Sequence, residues 1–251
     1  MEAESQDPVV MPLPCCLRVW HSATSVEQRG EFESRCESLL DPDELVGADR
    51  FRRTTTRNQH VVGRAMARRL LGDCKVAPQT IQFSAGRYGK PQVLRPAEAK
   101  QPFNIAHTDG MVLCGVADDQ TELVGVDVEA IGRRTSTDLA ERYFSKPEIE
   151  FLRSKPVPEQ QYFFLRIWTL KEAFIKAIGT GLHTPLADFA FADIDSQRPT
   201  IDFLSAKLDD GRDWKFECFE PRKGFIASAA LAAKHLESRV SVEWQAFEGL
   251  V

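Results

Sequence analysis

Two carboxylates on one expected strand and an acid–base pair on one helix stand at spacings that chemistry can use. In Leu123-Val124-Gly125-Val126-Asp127-Val128-Glu129, apolar residues alternate with Gly125, Asp127 and Glu129, the period of a strand. Asp127 and Glu129 then share a face, separated by about 7 Å of backbone rise. Two carboxylates so placed repel each other unless they are solvated or bound to a cation. Further on, Glu172 and Lys176 stand one helical turn apart and share a face. Glu172 brought beside the strand would complete a set of three carboxylates. Such a hard-oxygen set suits a magnesium ion, which keeps several waters and commonly binds substrate phosphates.

The complementary charge comes earlier in the chain. Arg50, Arg52, Arg53, Arg57, Arg64, Arg68 and Arg69 crowd one short region, and Gly86-Arg87-Tyr88-Gly89-Lys90-Pro91 is a turn presenting Lys90. His107 follows the short strand Phe103-Asn104-Ile105-Ala106. Cations at one end of a cleft and carboxylates at the other suit a polyphosphate ligand, clamped by Arg, Lys and His and bridged through a metal.

These residues need elements to hold them. Ile167, Leu170, Phe174 and Ile178 recur at spacings of three and four, one buried stripe of a helix that Gly179 and Gly181 stop. The same plan occurs twice. Asp41-Pro42-Asp43-Glu44-Leu45 is echoed by Ser145-Lys146-Pro147-Glu148-Ile149, each a turn and a helix start with early acids. Long helices follow at 60–71 and 163–178, then short β-type runs at 81–83 and 189–191. Both stretches close on a hairpin, 103–117 around Asp109-Gly110 and 214–233 around Lys223-Gly224. The pattern predicts a duplicated α+β unit: a flexible lead-in over 1–13, an N-terminal half over 14–123 and a C-terminal half over 124–251. Two such halves, related by a pseudo-twofold axis, would leave a ligand cleft between them.

Composition narrows the class. Hydrophobic content of 43% with 27% charged residues is that of a soluble globular protein. A formal charge of -5 argues against a general nucleic-acid binder. The six cysteines are scattered without zinc spacing and read as idle thiols of a reducing compartment. The amino terminus is acidic where a signal peptide would be basic, and Pro12 and Pro14 break the only early apolar run. A cytoplasmic protein without a membrane segment is the expectation.

In this order the residues resemble the surfactin-synthetase type of 4′-phosphopantetheinyl transferase. Gly89-Lys90-Pro91, Asn104-Ile105-Ala106-His107, Gly125-Val126-Asp127-Val128-Glu129 and Trp168-Thr169-Leu170-Lys171-Glu172-Ala173-Phe174-Ile175-Lys176 match that family's motifs. The last two are the specific ones. The resemblance implies paired α+β halves with coenzyme A and Mg²⁺ between them. It implies transfer of phosphopantetheine to a serine of an acyl- or peptidyl-carrier protein, releasing 3′,5′-ADP. By motif match Lys90 and His107 grip coenzyme A phosphates, the 3′-phosphate foremost, and Asp127, Glu129 and Glu172 hold the metal. Glu172 is the candidate base, directly or through a water, and Lys176 would face the same phosphate. Arg52, Arg53, Arg57 and Arg64 are candidate contacts for the adenosine end, and Ala106 replaces the motif's usual serine. An acidic carrier would meet Arg133, Arg134, Arg142 and Lys146 by charge. Because the second half supplies what a partner subunit would, a monomer is expected. Two other readings stay open: a different magnesium enzyme acting on nucleotides, and a catalytically silent coenzyme A-binding module.

Overall fold

The computed structural model describes residues 16–133, 135, 138–236 and 240–251; the expected lead-in and Arg134 lie outside them. The chain begins with β1 (Cys16–Ala23), α1 (Glu31–Glu37), α2 (Pro42–Ala48) and α3 (Thr54–Gly72). Two hairpins follow, β2 (Gln82–Ala85) with β3 (Pro91–Arg95) and β4 (Phe103–Thr108) with β5 (Met111–Ala117). Then come β6 (Leu123–Ala130), α4 (Leu139–Tyr143), α5 (Lys146–Ser154) and α6 (Val157–Ile178). The chain finishes with β7 (Phe189–Ala192), β8 (Thr200–Phe203), β9 (Asp213–Phe219), β10 (Phe225–Ala233) and β11 (Ser241–Ala246). This is a mixed α+β fold, as expected.

Alternation along the strands decides the layering. In β5, Val112, Cys114 and Val116 join the apolar cluster under α3, while Met111, Leu113 and Ala117 face the other way. In β10, Ile226 and Ala230 lie in the cluster under α6, while Ala227, Ala229 and Leu231 pack against the residues of β5. The order across the molecule is therefore α3, the sheet β11-β1-β5-β4, the sheet β6-β10-β9, and α6. Three apolar clusters fill the gaps, and removing this surface from water is the main driving force for the arrangement.

Each long helix is anchored by a fully buried cation. Arg68 of α3 donates to Glu44 at 2.6 Å and to the carbonyls of Pro78 and Ile81 at 2.6 and 2.8 Å. Lys171 of α6 pairs with Glu148 at 2.8 Å and donates to the carbonyls of Leu186 and Phe189 at 2.7 and 2.8 Å. Glu44 and Glu148 occupy the same place in the two helix starts: Asp41 accepts from the Glu44 N–H, and Glu148 completes a capping box with Ser145. Both partners of the Lys171–Glu148 pair are fully buried, so losing one leaves the other charged and uncompensated. Lys171→Ala is expected to cost about 3–5 kcal/mol of stability, measured by denaturant unfolding. A loss below 1 kcal/mol would mean that water reaches Glu148.

Three local features differ from the sequence reading. α3 starts at Thr54 and α6 at Val157, earlier than the expected 60 and 163; Pro158 lies in the first turn of α6, where its missing N–H is not needed. α1 is not expected at all. And β11, counted with the C-terminal half, pairs in parallel with β1 of the first sheet. Its Trp244 stacks on Phe219 of β9 with ring centres 4.4 Å apart and donates to Glu217, so this strand ties the two sheets together. Among the described residues no helix is long and apolar enough to cross a membrane.

Candidate active site

β6 stands at the edge of its sheet, paired on one side with β10. Val124, Val126 and Val128 enter the cluster between the sheets, so Gly125, Asp127 and Glu129 face α6. Gly125 is what lets the helix come down: a Cβ there would stand 1.9 Å from the Ala173 carbonyl oxygen and 2.6 Å from the Ala177 nitrogen. With strand and helix in backbone contact, the side chains of α6 meet the acids of β6.

Lys176 Nζ donates to Asp127 Oδ1 at 2.5 Å, while Asp127 Oδ2 is buried without a hydrogen-bond partner. Burial pushes the Asp127 carboxyl up to about 7; Lys176 opposes this, and the charges of Glu172 and Glu129 add to it. Burial also raises the Glu172 carboxyl above its ordinary range, again with Lys176 opposing and Glu129 adding. The charges of the three acids thus act on one another across this face. Glu129 accepts from Arg133 and, at 3.4 Å, from the Thr108 hydroxyl of β4.

Among the described residues no three His, Cys, Asp or Glu side chains are grouped as a ready metal cluster. The donor chemistry nonetheless fits a divalent cation. A buried carboxylate oxygen without a partner and neighbouring acids that hinder its ionisation form an arrangement that a cation relieves.

His107 lies at the end of β4 nearest these acids. Burial and the Lys176 charge lower its pKa. Beside it on α3 stand His60 and Arg64, one turn apart. Burial pushes His60 down to about 4, with Arg64 and His107 adding to the shift. His60 Nε2 and Arg64 Nη1 are both buried without partners, so this corner holds unused polar groups from two basic side chains beside His107. His60 was not singled out from the sequence; its spacing of four from Arg64 is the signal that could have found it.

Other expected residues stand elsewhere. Arg57 is bonded to Asp49 at 3.0 and 2.8 Å and to Glu37 at 2.8 Å, an internal ion-pair cluster rather than a cleft. Arg52 and Arg53 are exposed just before α3. Ala106 is 2% exposed in the apolar cluster between the sheets, so a serine hydroxyl at this position would be buried there. Lys90 lies at the opposite end of β4 from His107. Its Nζ donates to the carbonyls of Val124 and Ala177 at 2.8 and 2.9 Å. It borders a cavity of about 580 Å³ whose wall includes Arg87, Tyr88, Lys100, Phe103 and Glu122.

With this geometry in view, comparison with known proteins is specific. Residues 123–233, which carry both β6 and α6, match the model of the 4'-phosphopantetheinyl transferase superfamily. The 4'-phosphopantetheinyl transferase HetI of Nostoc sp. is 35% identical over 80% of this chain and 83% of its own. The 4'-phosphopantetheinyl transferase Sfp of Bacillus subtilis is 30% identical over 64% of this chain and 69% of its own. A phosphopantetheinyl transferase of Thraustochytrium sp. is 28% identical over 70% and 69%. A chain that folds its acids, lysine and histidine into one corner and shares this much sequence belongs to the 4′-phosphopantetheinyl transferase family.

Proposed function

We propose that the protein moves 4′-phosphopantetheine from coenzyme A to a serine of an acyl- or peptidyl-carrier protein, releasing 3′,5′-ADP. The observation that carries this reading is the meeting of Asp127, Glu129, Glu172 and Lys176 from the second half with His107 from the first. The direct test is incubation with coenzyme A, Mg²⁺ and a panel of apo carrier proteins, read by intact mass. A phosphopantetheine increment on a carrier supports the reading; an unmodified panel, or pyrophosphate release in place of 3′,5′-ADP, removes it.

The residues divide the work. Asp127, Glu129 and Glu172 would hold Mg²⁺, which when bound would offset the charge that develops on the pyrophosphate. Glu172, held above its ordinary pKa, takes the proton from the carrier serine, because a neutral hydroxyl is a poor nucleophile without a base in reach. Lys176, one turn along, turns its ammonium to the same phosphate. His107, with Arg64 and His60 behind it, receives the 3′-phosphate, whose charge would favour protonation of both imidazoles. The exposed Arg52 is free to meet the adenosine end. For Asp127→Ala the expected outcome is loss of transfer that higher Mg²⁺ partly restores, read from a metal titration; a magnesium dependence identical to the parent would remove Asp127 from the ligand set.

The scaffold reads as a duplication about a pseudo-twofold axis. Supporting this are the matching strand orders β1-β5-β4 and β6-β10-β9 and the matching anchors Arg68 with Glu44 and Lys171 with Glu148. In that correspondence Trp20, which pairs with Cys114, takes the place of Asp127, which pairs with Ser228, so one chain carries one site. A single cytoplasmic chain is then sufficient for activity. The carrier would approach over the exposed Arg142 and Lys146 beside α4 and α5. Arg133, already paired with Glu129, contributes less to that patch.

A further inference from the structure

Within the family's motifs Lys90 has a place that the phosphate-binding expectation does not explain. As an edge strand, β6 has backbone groups on its open side with no ladder partner. Two side chains of the first half take them. Asn104 Oδ1 accepts from the Val126 N–H at 2.9 Å, and Lys90 Nζ donates to the Val124 carbonyl at 2.8 Å. The same ammonium donates at 2.9 Å to the carbonyl of Ala177, in the last turn of α6, where carbonyls lack partners within the helix. Val124 lies three residues before Asp127, and Ala177 directly follows Lys176. Between these points Gly125 keeps strand and helix in backbone contact.

We propose that Lys90 is a positioning residue, whose ammonium fixes β6 and α6 to each other and to the first half, and that it does not ligate a phosphate of coenzyme A. The inference rests on the transferase reading. Lys90 holds in register the two elements that carry Asp127, Glu129, Glu172 and Lys176. His107 is at the far end of β4 and is left as the motif's phosphate contact. Burial lowers the Lys90 pKa to about 8, in keeping with an ammonium enclosed by backbone rather than open to solvent.

Coenzyme A and dephospho-coenzyme A, which differ by the 3′-phosphate, separate the two roles. Calorimetry on the full-length protein gives the ratio of the dephospho-coenzyme A dissociation constant to that of coenzyme A and the binding stoichiometry, and steady-state transfer gives kcat. Lys90→Met is expected to keep the ratio within twofold of the parent and to bind one coenzyme A per chain, while kcat falls at least tenfold. Asn104→Ala should do the same, because it frees the same strand edge. His107→Ala should lower the ratio at least tenfold, which establishes that the ratio reports 3′-phosphate contact. A ratio that falls in Lys90→Met as it does in His107→Ala overturns the proposal, and so does an unchanged kcat. Should Lys90→Met prove too unstable to assay, Lys90→Gln, which keeps N–H donors for the carbonyls but removes the charge, is read by the same ratio: a preserved ratio supports positioning and a lowered one overturns it. Absence of transfer by the parent protein would instead strike the underlying function, a result distinct from any of these.

Discussion

Glu172→Gln is expected to fold and unfold like the parent, to bind coenzyme A, and to lose transfer by about 10²–10⁴-fold, the usual contribution of a positioned base. Glutamine matches glutamate in shape, so the packing of α6 on β6 should survive. What disappears is the group that accepts the serine proton, together with one carboxylate of the metal set, so the comparison is made at saturating Mg²⁺. The pH dependence sharpens the test. Glu172 must be ionised to act, and burial holds its carboxyl above the ordinary range while Lys176 draws it back. Transfer by the parent should therefore rise with pH as the raised Asp127 and Glu172 carboxyls lose their protons, and the residual activity of the variant should lack the part of that limb owed to Glu172. Near-parental turnover, or an unaltered limb, would take Glu172 out of the base role and leave it a metal ligand at most.

Much of this site was legible because it depends on local periods. Alternation in 123–129 placed Asp127 and Glu129 on one face, and a period of three to four placed Glu172 and Lys176 on one side of a helix. The turns at Gly110 and Gly224 need positive φ, 89° at both, and their glycines marked the hairpins in advance. What stayed hidden depends on partners distant in the chain. β11 finds β1 across more than two hundred residues, and no local pattern encodes a parallel pairing of that kind. Arg57 looked as available as Arg64; only the folded chain brings Glu37 and Asp49 to one and leaves a nitrogen of the other without a partner. Lys90 carried the charge that a phosphate site needs, but charge does not say whether an ammonium will meet a phosphate or two carbonyls. Ala106 read as a missing hydroxyl until β4 turned it into the apolar gap between the sheets.

The other large effect concerns a residue with no side chain. Gly125→Ala is expected to destabilise the fold and to abolish transfer together. The added Cβ would lie 1.9 Å from the Ala173 carbonyl oxygen and 2.6 Å from the Ala177 nitrogen, both backbone atoms of α6, so no side-chain rotation can make room. Either β6 bulges or the helix lifts by more than about 1 Å, and overpacking of this kind costs about 1–3 kcal/mol or more. For a chain of this size that lowers the midpoint of thermal unfolding by several degrees. The catalytic loss should be larger than the loss of stability alone implies, because a displacement of about 1 Å at the reacting groups can cost on the order of 10²-fold in rate. Gly115→Ala is the comparison. There the new Cβ would meet Val126 Cγ1 at 2.8 Å, the end of a side chain that can shift within the gap between the sheets. It should lower the unfolding midpoint by less and retain measurable transfer. If Gly125→Ala unfolds at the parent's temperature and transfers at the parent's rate, α6 does not rest on β6 at this point, and Glu172 does not reach Asp127 by the route described.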